Sequence, residues 1–142
     1  VDAACASLGG ERVPEAAAFW NGLREQTLPF YALEAGQCLW RLSMADSAGV
    51  LDFPEVIGPP LIEWGGALRW IKASADACGS LRVAMDVLGG TATLFRCAPD
   101  LAPRPSDVFH PLVSVQQRIH QELKKQFDPA GIFNRGRMYA DL

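Results

Sequence analysis

The chain has 142 residues, 49% of them hydrophobic, and a formal net charge of −3. That is the size of one ordinary domain, with enough apolar content to fill a core without disulfides or a structural metal. The acidic balance lacks the basic footprint of a nucleic-acid binder, and no apolar run approaches the ~20 residues of a membrane span.

Asp2 to Leu8 reads as the last turns of a helix closed by Gly9-Gly10, since glycine past a helix end accepts positive φ. With Val1 in place of Met and no N-cap ahead of it, this start suggests a fragment or a processed chain. Glu15 to Gln26 is predicted helical, with Pro14 in its first turn and Ala16, Phe19, Trp20 and Leu23 at helical spacing. Gln37 to Met44 is a predicted strand: Cys38, Trp40 and Leu42 point one way, Leu39, Arg41 and Ser43 the other. Ala45 to Pro60 is a loop rich in Gly, Pro, Asp and Ser.

Leu61 to Ala73 reads as a hairpin turning at Gly65-Gly66. Its register opposes Ile62 to Arg69 and Leu61 to Trp70, so Ile62, Trp64 and Arg69 share one face and Leu61, Glu63, Leu68 and Trp70 the other. Ala75 to Leu88 follows as a helix with Leu81, Met85 and Leu88 as its apolar stripe, then Gly89-Gly90 and a strand from Thr91 to Cys97. Ala98 to Pro111 carries four prolines and is expected to be extended. Leu112 to Phe127 is the clearest helix, with Leu112, Val115, Ile119 and Leu123 in one row.

Helix, Gly-Gly, strand occurs twice, at Asp2–Val13 and Ser80–Leu94. Two strand–helix–strand copies in one sheet make the ferredoxin-like arrangement. The expectation is an α+β fold: a ferredoxin-like antiparallel sheet with helices mainly on one face, plus a C-terminal helix and tail. In that scheme the first copy's opening strand lies upstream of Val1, and helix 15–26 is an insertion.

Self-sufficient chemistry is not found. There is no G-x-G-x-x-G after a strand, no Walker loop, no G-x-S-x-G elbow and no H-E-x-x-H. The Gly-Gly pairs precede strands, so no helix N-terminus faces a phosphate. His110 and His120 have no partner at ligand spacing, so no metal site and no catalytic residue are assigned. The four cysteines, Cys5, Cys38, Cys78 and Cys97, form no C-x-x-C and read as free thiols packed as small apolar residues, in keeping with a reducing cytoplasm. The four tryptophans, Trp20, Trp40, Trp64 and Trp70, are expected mainly in the core. Arg41 and Arg69 fall on strands, where a guanidinium can hold a carboxylate through two parallel hydrogen bonds. The competing expectation for Arg41 is an ion pair with Glu63 or Asp86, or a solvated sheet face. Asp128, before Pro129, stops the last helix.

The tail carries a family resemblance. Asp128-Pro129, Gly131-Ile132-Phe133-Asn134 and Gly136-Arg137 resemble the D-P-x-G-I-F-N-P-G-R ending of FAD-linked oxidases of the vanillyl-alcohol-oxidase group. Met138-Tyr139, with FWNGLREQTLPF, LWRLSM, IEWGGALRWIKA and GGTATLF, narrows it to the glycolate oxidase FAD-binding subunit. The resemblance implies that residues 1–142 are the C-terminal cap of a flavoprotein subunit whose FAD-binding domain lies outside them. It implies a complex with other glycolate oxidase subunits that oxidises glycolate, or a similar 2-hydroxyacid, to glyoxylate. It implies a cytoplasmic location, with any membrane association through the complex. Arg41 or Arg69 would bind the substrate carboxylate, while Asn134 and the Gly136-Arg137 backbone would approach the flavin. No cofactor and no activity are expected of residues 1–142 alone. The alternative is a non-catalytic docking module of the same complex, since the histidine-rich metal motif of related caps has no match here. Arg135 stands where the family has proline, which is expected to leave the turn looser.

Overall fold

The computed structural model describes residues 1–51, 53–54, 56–101 and 108–142. It forms two compact units, Val1–Ala32 and Leu33–Leu142. The first contains α1 (Asp2–Leu8) and α2 (Ala16–Arg24). Gly9 closes α1 in the left-handed region at φ 65°, as its position predicts. Beyond it, residues 11–13 form no strand. Phe19 and Trp20 meet edge to face, and Trp20 remains 62% exposed.

The second unit holds one four-stranded antiparallel sheet: β1 (Gln37–Ser43), β2 (Leu61–Glu63), β3 (Leu68–Ser74) and β4 (Thr91–Cys97), in the order β2-β3-β1-β4. The predicted α+β architecture is therefore the observed one. β3 and β4 flank β1 and are joined through α3 (Cys78–Val87), a complete strand–helix–strand copy. β1 and β2 flank β3 in the same way, but the 44–60 connection contains no helix among its described residues. Within this sheet β1 takes the place of the first copy's opening strand. The Asp2–Val13 echo failed because Gly-Gly after a helix records only the helix end. It does not say what the chain does next.

The hairpin register is as predicted, Leu61 opposite Trp70 and Ile62 opposite Arg69. Its turn is wider than two residues. Trp64, Gly65 and Gly66 all take positive φ (52°, 62° and 107°), and the Ala67 N–H returns to the Trp64 carbonyl. A tryptophan at positive φ is uncommon, and Trp64 is 81% exposed.

Alternate residues of three strands make the core. Cys38, Trp40 and Leu42 of β1, Ile71 and Ala73 of β3, and Ala92 and Leu94 of β4 pack with Leu81 and Met85 of α3. Leu51, Phe53 and Val56 of the 44–60 connection close over the same side. Trp40 and Trp70 are buried, but Trp20 and Trp64 are not, so half of the tryptophans leave the core. Gly90 permits the entry into β4: a Cβ there would stand 2.5 Å from the Ser43 carbonyl oxygen. The outer edge of β4 is covered by the returning chain, Leu94 N–H donating to the Val108 carbonyl and Ala92 N–H to His110 Nδ1. Covering an edge in this way removes a template for unwanted pairing. The rest of the proline-rich connection, residues 102–107, lies outside the described residues.

α4 (Ser114–Phe127) is the predicted last helix, and no residue of it is buried. No helix among the described residues is long and apolar enough to cross a membrane.

Candidate functional site

The two strand arginines offered for the substrate carboxylate lie on opposite faces of the sheet. Arg41 is opposed to Trp70 and Thr93, on the face away from α3. It is exposed, and its guanidinium has no hydrogen bond or ion pair among the described residues. The two expected partners bond elsewhere: Glu63 accepts from the Trp70 indole N–H at 2.6 Å, and Asp86 bonds His110 at 3.0 Å. Around Arg41 the face is more apolar than an open sheet face would be, since Leu39, Leu68 and Trp70 are buried. Phe95 is the extra residue of a bulge opposite Leu39/Trp40, and its ring meets Trp70 edge to face at 4.9 Å. The result is a guanidinium with no described side-chain partner on the face that carries the Trp70–Phe95 pair.

Arg69 is 6% exposed and already engaged. Its Nε donates to the Gly66 carbonyl (3.1 Å), Nη1 to Gly49 (2.6 Å) and Nη2 to Ala48 (2.5 Å). A guanidinium has five N–H donors, so two remain. Three carbonyls from two loops converge on this cation, tying the 44–60 connection to the hairpin turn. Beside it lies a cavity of ≈ 350 Å³, lined chiefly by Leu51, Phe53, Val56, Ile62 and Ile71. Arg69 is the charged side chain on its described wall.

In the tail, Asp128 is more than a helix stop. Its carboxylate accepts from Lys124 Nζ (2.6 Å) and from the N–H groups of Ile132 and Phe133 (both 2.9 Å). The Lys124 ammonium and these backbone N–H groups hold its carboxyl well below the usual range, at about 2. Lys124 also donates to the Phe133 carbonyl. Arg135, expected to loosen the turn, pins it instead: its guanidinium donates to the Gly131 and Ala130 carbonyls. Further on, Asp141 accepts from Gln117 and Gln121 of α4, which lowers its pKa. The Tyr139 hydroxyl donates to the His110 carbonyl; burial raises its pKa.

Of the residues predicted to face a flavin, Asn134 is exposed and sits at φ 51°. The Gly136 N–H donates to Leu142 O at 2.6 Å and the Arg137 N–H to Asn134 O at 3.2 Å. These two backbone donors already serve the tail's own turns. The side chains of Asn134 and Arg137 are both exposed. The structure thus brings Asn134, Gly136 and Arg137 together in one turn system and places neither strand arginine with them.

His110 is buried and structural: Nδ1 accepts from the Ala92 N–H, so Nε2 carries the proton it donates to Asp86. No group of three metal-ligating side chains occurs among the described residues. Sequence reasoning missed the Asp128 hub and the Arg69 tie. The Asp-Pro pair signalled the first without its partners, and nothing in the sequence signals the second.

The chain is 46% identical over all 142 residues to glycolate oxidase subunit GlcE of Escherichia coli (strain K12). It spans 36% of that protein's length. No family model matches the chain, and no solved structure matches it. The chain is similar throughout to a part of a glycolate oxidase subunit.

Proposed function

We propose that residues 1–142 are the C-terminal cap of the FAD-binding subunit of glycolate oxidase, acting in a cytoplasmic complex with other subunits that oxidises glycolate to glyoxylate. The observation that carries this reading is the 46% identity along the whole chain. In it, Arg41 holds the substrate carboxylate through paired charge-assisted hydrogen bonds. Its lack of a partner among the described residues supports this role. Arg69 has two N–H donors left beside the cavity and takes a secondary part. Asn134 and Arg137 side chains would hold FAD from the tail, with Gly136 shaping the turn. FAD, when bound, supplies the hydride acceptor of the oxidation. The chain's own contribution is to orient the carboxylate and to place positive charge near it.

A second reading is a docking module of the same complex with no part in turnover. The apolar row Val115, Ile119 and Leu123 of α4, exposed along its length, favours it. Steady-state kinetics of the assembled enzyme carrying Arg41→Ala separates the two. Loss of a charged hydrogen-bond pair should raise KM for glycolate about 10- to 100-fold at unchanged flavin content. Unchanged turnover with intact assembly would remove Arg41 from the substrate site and leave the docking role. Residues 1–142 alone should be colourless and inactive, and tight FAD binding by them in a titration would overturn the division into cap and flavin domain.

A further inference from the structure

Cys38 and Cys97 are separated by 59 positions in the sequence, yet they are directly opposed on β1 and β4. Just beyond them the Ala98 N–H donates to the Gln37 carbonyl at 2.8 Å. That bond makes the cysteine pair a non-hydrogen-bonded position of the antiparallel ladder, where opposed Cα atoms are closest, about 4.5 Å apart. Disulfides accept Cα separations of roughly 4.4–6.8 Å. The Sγ atoms are 2.9 Å apart, so the bond length of ~2.05 Å is reached by a sulfur movement of about 1 Å.

The two thiols differ in access. Cys38 is fully buried, and burial together with the neighbouring Cys97 sulfur pushes its pKa up to about 12. It stays a thiol at neutral pH and cannot start an exchange. Cys97 is partly exposed and is the sulfur that a small molecule reaches first.

We propose that Cys38 and Cys97 are a cross-strand redox couple that closes to a disulfide by exchange with a small-molecule disulfide of the glutathione class. The Cys97 thiolate attacks one sulfur of that molecule, forming a mixed disulfide and expelling one thiolate. The Cys38 sulfur, giving up its proton to the departing group, then attacks Cys97 and expels the second thiol. The two cysteines lose two electrons and two protons overall, and the small disulfide gains both to become two thiols. The closed bond ties the end of β4 to β1 next to the Leu39/Trp40 bulge and cross-links a long loop of the chain. Such a constraint should raise the melting temperature by roughly 10 °C.

The test equilibrates the native, full-length protein against mixtures of oxidised and reduced glutathione, then alkylates it in denaturant and maps it by mass spectrometry. At the oxidising end the expected product lacks two hydrogens, joins the Cys38 and Cys97 peptides, and leaves Cys5 and Cys78 alkylated. Its melting temperature should fall back when a dithiol reductant is added. The variant carrying Cys5→Ala and Cys78→Ala should form the same bond. The proposal is overturned if Cys38 and Cys97 remain alkylatable at the oxidising end, if Cys97 stops at the mixed disulfide, or if the bond disappears in that double variant.

Discussion

On the α3 side of the sheet, Trp40, Leu42, Leu81 and Met85 are withdrawn from water, and the packing is almost wholly apolar. Even the Trp40 indole N–H has no hydrogen-bond partner among the described residues. From Ser114 onward the same unit is built the other way. No residue of α4 is buried, and the tail is held by carboxylates: Asp128 gathers Lys124 and two N–H groups, and Asp141 gathers two glutamines. One region relies on burial, which is insensitive to pH and salt. The other relies on polar bonds in reach of water, each of modest net value. The difference separates a buried core from an exposed helix, whose row Val115, Ile119 and Leu123 stays half exposed or more.

The largest effect should come from the core. Leu81 is fully buried under β1 and β4, so Leu81→Ala should cost about 3 kcal/mol in urea unfolding. Tail contacts such as that of Tyr139 with His110 should persist until global unfolding. A tail that loosened together with the core substitution would merge the two regions into one.

Next is Gly90→Ala. The added Cβ would fall 2.5 Å from the Ser43 carbonyl oxygen, which is backbone and cannot swing aside. A cost of about 1–3 kcal/mol is expected in the same assay. A neutral result would mean that β4 enters the sheet less closely than the ladder requires.

Asp128 sharpens the comparison through pH. Its carboxyl is lowered from 3.8 to about 2, first by the Lys124 hydrogen bond and then by the backbone N–H groups of Ile132 and Phe133. A depressed pKa contributes stability that is present above the unfolded value and disappears as pH falls through the folded one. The protection factors of the Ile132 and Phe133 amides, taken against the intrinsic exchange rate at each pH, should therefore hold down to about pH 4 and fall between about pH 4 and pH 2. Core amides of β1 should not follow that transition. Asp128→Asn should bring the fast tail exchange to neutral pH with little change in the urea midpoint.

Which features the sequence disclosed follows from how local each signal is. The period of two over Gln37–Met44 gave β1 to within one residue, and the glycines at 65 and 66 gave the hairpin register, because pleat and turn are local. The row 115, 119, 123 gave α4 for the same reason, but periodicity says nothing about whether an apolar stripe is covered. The Arg69 tie depends on where loop carbonyls 48, 49 and 66 fall in space, and the Cys38–Cys97 pair on which strand lies beside β1. Neither leaves a trace in spacing. Asp128 was legible as a stop, yet its role as an acceptor of three donors appears only once the chain has turned back on it. Arg41 was placed on the correct face by alternation alone, and the structure added that no described residue claims its charge.

The smallest effect in this chain concerns the α4 row. Ile119 and Leu123 are each 51% exposed, so Ile119→Ser with Leu123→Ser removes little buried area, and surface substitutions usually fall within about 0.5 kcal/mol. Helix propensity shifts by only a few tenths in addition. Urea unfolding of residues 1–142 should then be nearly unchanged. In the longer protein the same pair tests whether the row is a packing surface. If it is covered there, the double substitution removes two aliphatic anchors and should destabilise by about 3 kcal/mol or more, at ~1.5–3 kcal/mol for each fully buried side chain. Equal, small effects in both contexts would leave α4 a solvated arm. Only a large difference between them would make the α4 row a packing surface in the longer protein.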